Sequence, residues 1–215
     1  MTKVLVIPDM QVKPGVDTSY IDAIASYILD KQPDVIVNLG DMADMPSLSS
    51  YDQGKKAFEG RRYEDDIQSV IDAQIKLFQP LAAYQERQRI NKKRVYTPRT
   101  VFLLGNHENR INRAVNNDPK LDGVLSIDDL GYKTFWDEVY PFLEVVEVEG
   151  VAFSHYFTTG QAGRPASTAN AQLNKQHQSC ISGHQQGLQL CLRMLLASES
   201  RASSLEAVIN MKKSI

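Results

Sequence analysis

The sequence predicts an α/β fold, with a parallel sheet wound by crossover helices in the first half of the chain, a second sheet in the later half, and helices outside. Three observations predict it. Short β-branched runs alternate with helical patterns at spacings that suit crossover connections. The first three runs each end in a proline or glycine followed by a polar side chain, at Pro8-Asp9, Gly40-Asp41 and Gly105-Asn106. A later pair of runs flanks Glu149-Gly150 like a hairpin.

Taken in order, Lys3–Ile7 is a first strand ended by Pro8-Asp9, and a helical pattern follows from Ser19 to about Lys31, with Asp17 or Thr18 placed to cap it. Pro33 stops that helix. Asp34–Leu39 repeats the strand pattern, and a long polar helix runs from about Tyr63 to Ile90 with an expected interruption at Pro80. Thr100–Leu104 is a third strand. Leu143–Val148 and Val151–Ser154 form the hairpin, and Cys180–Ser182 is one more strand before Gly183-His184. Residues 1–189 therefore read as one domain with a two-layer sheet core, and 190–215 as an atypical tail. Scattered leucines and Ser198, Ser200, Ser203 and Ser204 leave that tail undecided between a poor helix and disorder.

Composition removes several function classes. The 215 residues are 42% hydrophobic and 23% charged, which suits an ordinary globular domain. With 24 Lys+Arg against 26 Asp+Glu the net charge is −2, so no whole-molecule field draws nucleic acid or an anionic membrane. The apolar run Val4–Ile7 is too short for a signal peptide or a spanning helix, and a cytoplasmic protein without membrane contact is expected. Cys180 and Cys191 lack CxxC spacing and read as incidental thiols. No GxSxG elbow, GxxxxGK loop or GxGxxG fingerprint is present.

The chemistry-bearing residues follow the apolar runs: Asp9, Asp41, Asn106, His155 and His184. Ligands of open α/β sheets bind at the carboxyl ends of strands, where the loops converge. Singly, the aspartates read as turn residues or caps and the histidines as satisfied core groups. All five stand at strand ends, and jointly they read as metal ligands. Carboxylate, amide oxygen and imidazole together suit a borderline cation such as Mn²⁺, Fe or Zn²⁺.

Gly40-Asp41-Met42-Ala43-Asp44 spells GDxxD, Gly105-Asn106-His107-Glu108 spells GNHE, and Gly183-His184 opens a truncated GHxH. In that order these motifs resemble the calcineurin-like metallophosphoesterases, from Lys3 to about Gln189. The resemblance implies a two-layer β-sandwich flanked by helices, metal-dependent hydrolysis of a phosphomonoester or small diester, and two divalent ions about 4 Å apart. It assigns Asp41 as the bridge, Asp9 to the first ion, and Asn106, His155 and His184 to the second. It also implies attack by a metal-bound hydroxide, formed because coordination lowers the pKa of water from about 15.7 to about 7. His107 would be the acid toward the leaving oxygen, with Asp44 holding its tautomer. Arg110 reads either as a phosphate clamp or as a solvated helix face.

The pattern breaks at two places. The family's DxH reads Asp9-Met10-Gln11, and Gln186 stands where GHxH has its second histidine. Both missing imidazoles belong to the first ion, so a weaker first site is expected, with Gln11 and Gln186 as neutral oxygen donors and a greater preference for Mn²⁺ or Mg²⁺, manganese being the expected ion for the pair. The DxQ motif resembles small phosphoesterases of bacteriophages, which implies action in a host cytoplasm. Family members also continue after GHxH with further strands, whereas residues 190–215 lack clear alternation; incomplete C-terminal strands, an exposed edge near Ser182 and a truncated or frame-shifted gene end are the expectations.

Two alternatives stand beside hydrolysis of a phosphate-ester substrate. One is a DNA nuclease of the same superfamily, carried by Arg87, Arg89, Lys92, Lys93, Arg94 and Arg99, although that stretch reads better as a solvated helix end and nucleic acid is not favoured. The other is a lapsed enzyme serving as a binding scaffold, for which Gln11, Gln186 and the tail speak.

Overall fold

The computed structural model describes residues 2–159, 163–185, 187–195 and 204–210. Four parallel strands make the first sheet: β1 (Val4–Ile7), β2 (Val35–Asn38), β3 (Arg99–Leu103) and β4 (Glu138–Tyr140), in that spatial order. The register runs Val4 to Val35, Val35 to Arg99 and Val101 to Glu138. Strand β4 is three residues long and has no apolar run of its own, which is why no strand is expected there from the sequence.

Helix α1 (Ser19–Lys31) crosses from β1 to β2, and α2 (Tyr63–Ile90) lies in the crossover from β2 to β3. Asp17 supplies the cap at α1, accepting from the Ser19 N–H and hydroxyl at 2.8 Å each, while Thr18 makes no side-chain cap bond. The expected break at Pro80 does not occur, and α2 continues through it. A proline costs one helical hydrogen bond; Val70, Ala73, Leu77 and Leu81, buried on either side, hold the helix against the sheet regardless.

Strands β5 (Val146–Val148) and β6 (Val151–Ser154) form the expected antiparallel hairpin, turned at Glu149 (φ 51°) and Gly150 (φ 78°) as a primed turn requires. Strand β6 pairs in parallel with β7 (Cys180–Ser182). The expectation of missing strands and an exposed edge at Ser182 is corrected here. Two strands, β8 (Gln189–Leu195) and β9 (Ser204–Asn210), pair antiparallel, and β9 pairs in parallel with β7, giving the order β5-β6-β7-β9-β8. The physical reason is visible in β8, whose leucines Leu190 and Leu192 face solvent at 60% and 55% exposure. Its alternation is inverted relative to a buried face, so the period is hard to recognise from sequence.

The two sheets pack face to face through Val35, Val37, Leu39, Val101 and Leu103 on one and Val146, Val148 and Phe153 on the other. The opposite face of the first sheet, with Ile36 and Phe102, meets Ile21 and Ile28 of α1 and Val70 and Leu77 of α2. On the outside of the second sheet Ala152 and Cys180 meet Leu173 of the helix Ala169–Gln176. This is a two-layer β-sandwich flanked by helices, and it brings the carboxyl ends of β1, β2, β3, β6 and β7 to one crevice. Among the described residues no helix is long and apolar enough to cross a membrane.

Candidate metal centre

The loops after the strands are shaped tightly around two carboxylates. Asp41 is 1% exposed and adopts the left-handed conformation at φ 51°, as does His184 at φ 65°. Such backbone is costly for residues with a Cβ and persists only where the surroundings enforce it. Glycines make the room: a Cβ on Gly105 would fall on the Asp41 carboxylate, and one on Gly183 would fall on that of Asp9. Asp41 Oδ1 accepts from the His107 backbone N–H at 2.8 Å, and both Asp9 oxygens accept from the His184 N–H at 3.0 and 3.1 Å.

Four side chains then converge. His155, fully buried, has Nδ1 2.7 Å from the Leu39 carbonyl oxygen, so Nδ1 carries the proton and Nε2 keeps its lone pair. That lone pair faces Asn106 Oδ1 at 2.9 Å and Asp41 Oδ2 at 3.5 Å. His184 Nδ1 lies 2.7 Å from the same amide oxygen. One ligand atom each from Asp41, His155 and His184 fall within 4.8 Å of one another.

This donor set fits a divalent cation. A carboxylate oxygen, an amide oxygen and an imidazole lone pair crowd one buried point, where their dipoles repel unless positive charge sits among them. Burial, more than any charge, lowers the pKa of His155; burial and then the neighbouring His155 and His107 bring His184 down to about 4. Both imidazoles are therefore neutral at pH 7, the ligating form. Burial also raises the pKa of Asp41, helped by Glu108, and that of Asp9; a bound cation would reverse both shifts.

Not every expected ligand joins them. Asp9 sits outside the Asp41–His155–His184 group and is tied to it through the His184 backbone. Gln11 reaches the site by its main chain, its N–H donating to the Asp41 carbonyl at 2.8 Å with φ at 48°. Gln186 lies outside the described residues.

Beside this centre His107 Nδ1 is 2.9 Å from both the carboxylate and the carbonyl oxygen of Asp44, which fixes its proton there and turns Nε2 toward Asp41 Oδ2 at 3.7 Å. Burial alone would lower the His107 pKa, but the Asp44 bond and the Asp41 charge outweigh it and raise it. Asp44 also accepts from Lys13 Nζ at 2.6 Å, and despite burial these partners hold its carboxyl well below the usual range. Arg110 is not a solvated helix-face cation. It is 12% exposed, donates from Nη1 to the Asp44 and Met45 carbonyls at 2.8 and 3.2 Å, and brings Nη2 to 3.3 Å from His107 Nε2.

Glu108 and Lys13 escaped the sequence reading. Glu108, fully buried, accepts from the backbone N–H of Asp41 (3.0 Å), Ala43 (2.9 Å) and Gly105 (2.8 Å) and from the Tyr132 hydroxyl (3.0 Å). It joins the loop carrying Asp41 to the loop carrying Asn106. Glu108 stands at the N-cap of the helix Asn109–Asn117 yet makes no side-chain cap bond there, so its helix-start position does not reveal its role, and nothing in the sequence marks Lys13. Outside the crevice Trp136 packs edge-on against Phe78 and Phe102, as core, and His177 is an exposed residue ending the helix Ala169–Gln176.

The sequence model of the calcineurin-like phosphoesterases matches residues 2–186. The chain is also similar to the Gene 54 protein of Mycobacterium phage L5, at 38% identity over 64 residues, 30% of this chain and 25% of that protein. It is 30% identical over 108 residues to the Gene 54 protein of Mycobacterium phage D29, covering 50% of this chain and 36% of that one. The matched segments thus span between a quarter and about a third of those curated relatives.

Proposed function

Because the chain belongs to the calcineurin-like phosphoesterase family, whose members hydrolyse phosphoesters with divalent metals, we propose that it hydrolyses a phosphomonoester or small diester, with manganese as the best-fitting ion. The observation that carries this reading is the convergence of Asp41, Asn106, His155 and His184 on one buried point. Those four would hold one ion. Asp41 and Asp9 would hold a second, with Gln11 and Gln186 standing where the family has histidines, and this site would be the weaker. When bound, the cations supply Lewis-acid polarisation of the phosphoryl group and a water of lowered pKa.

The chain's own residues supply the rest. Leu39 holds His155 with its lone pair inward. His107 Nε2, facing the same carboxylate edge as the ligands, donates a proton to the leaving oxygen, while Asp44 keeps the other ring proton in place. Arg110, already beside Nε2, stabilises charge as the phosphoryl group detaches. Glu108 fixes both ligand loops without touching substrate.

The mycobacteriophage relatives support action inside an infected host cell. Of the basic stretch that would carry a nuclease reading, Arg89 and Arg99 are engaged in ion pairs with Glu86 and Glu138. The retained Asp41, Asn106, His155 and His184, with the acid His107 and its carboxylate partner Asp44, speak against a lapsed scaffold.

The test is turnover of a panel of phosphate esters with Mn²⁺ by the wild type and Asp41→Asn. We expect hydrolysis by the wild type and a loss of at least about 100-fold in the variant. Equal turnover by both would remove Asp41 from the reaction.

A further inference from the structure

Beside His107 lies a cavity of about 310 Å³ that shares Asp44 and Arg110 with the acid cluster. Its other walls come from Lys13 after β1, Pro46 and Ser49 after β2, and Arg61 and Arg62 at the start of α2. Asp41, His155 and His184 do not line it, so it is distinct from the metal centre. On the reading proposed above, the group released from phosphorus departs toward His107, whose two side-chain partners, Asp44 and Arg110, form one wall of this cavity.

The lining has a definite chemistry. Four cationic side chains face five carboxylates, and they pair among themselves: Lys13 with Asp44 at 2.6 Å and Arg61 with Asp52 at 2.7 Å. No aromatic ring lines it, and two prolines are its largest apolar members. A second phosphate would therefore meet no net positive field. A flat base or aryl ring would find no face on which to stack. What the walls do offer is donors beside acceptors, which suits neighbouring hydroxyls that each donate to a carboxylate and accept from a guanidinium.

We propose that this cavity is the leaving-group subsite and that it selects phosphate esters of compact polyols or sugars. The proposal rests on the phosphoesterase reading. Arg62 and Asp65, both exposed at the start of α2, are the donor and acceptor reached without disturbing the acid cluster, and the substrate's hydroxyls bind between them.

The experiment compares kcat/KM with Mn²⁺ for a hexose 6-phosphate, 4-nitrophenyl phosphate and a single-stranded oligonucleotide, in the wild type, Arg62→Ala, Asp65→Ala and Asp41→Asn. The wild type should turn over the hexose phosphate despite its poorer leaving group, with one well-made hydrogen bond to its hydroxyls worth about tenfold. Arg62→Ala and Asp65→Ala should each lower the hexose phosphate value about tenfold, chiefly through KM, and leave the aryl ester within about twofold. A wild-type preference for the oligonucleotide over the hexose phosphate overturns the subsite, as does an unchanged hexose phosphate value in both surface variants or an equal fall on all substrates. Turnover that ignores Asp41→Asn, or is absent from every substrate, overturns the phosphoesterase reading as well and so is distinguishable from failure of the subsite alone.

Discussion

The two halves of the crevice are built to different standards. On one side His155 is oriented by Leu39, Asn106 stands between two imidazoles, and Asp41 is fixed through its own N–H to Glu108 and through Oδ1 to His107. On the other, Asp9 gives both oxygens to the His184 backbone and Gln11 enters through its main chain. The difference teaches that a ligand set is recognised by what holds the ligands as much as by their identity. Outer partners fix geometry before an ion arrives, and their loss commonly costs 10–100-fold in affinity.

The largest effect should come from the well-held side. His155→Ala removes a donor whose orientation is already fixed, and we expect turnover to fall about 100-fold or more with the fold intact by circular dichroism. An unchanged rate would mean that the ordered side is structural only. Next comes Glu108→Gln, which turns an NH₂ toward backbone donors at Asp41, Ala43 or Gly105. Mn²⁺ affinity measured by calorimetry should weaken about 10–100-fold, because two ligand loops lose their common anchor. If affinity held while only thermal stability dropped, Glu108 would be a fold residue and no more. Gln11→His tests the looser side by supplying an imidazole. The weaker of two binding steps should tighten about tenfold while the stronger stays put, and a shift in the stronger step would reverse the assignment of the two halves.

The smallest effect concerns pH. The folded pKa of Asp44 is depressed, so its contribution to stability is present above the ordinary value of 3.8 and is lost as pH falls through the folded value. That of His107 is raised, so its contribution is full below 6.5 and lost as pH rises through the folded value. The pair therefore stabilises most between about pH 4 and 6.5. Urea unfolding of wild type and Asp44→Asn should differ by about 1 kcal/mol in that window, by progressively less as pH falls below it, and by a reduced but finite amount above it, where Asp44 keeps its Lys13 partner. A difference that keeps growing above pH 8 would contradict the pairing.

Much of this was legible beforehand because motif residues and strand ends coincide. Asp9, Asp41, Asn106, His155 and His184 each follow a β-branched run, and the turn glycines beside them have a steric reason that the structure makes explicit at Gly105 and Gly183. What stayed hidden depends on tertiary context. Strand β4 is a three-residue edge with no period to read. Strand β8 turns leucines to solvent, so its alternation points the opposite way to burial. Pro80 sits in a helix that packing retains against its local preference. Glu108 and Lys13 act through distances of 65 and 31 residues along the chain, to Ala43 and Asp44, which no local window contains.

The most direct measurement is a Mn²⁺ titration of metal-free protein followed by calorimetry, in the wild type and Asp41→Asn. The account predicts saturable binding in two steps, tight then weak, with turnover following the weak step and both steps lost or severely weakened in the variant. Binding that is indifferent to Asp41, or none at all in the wild type, would contradict it.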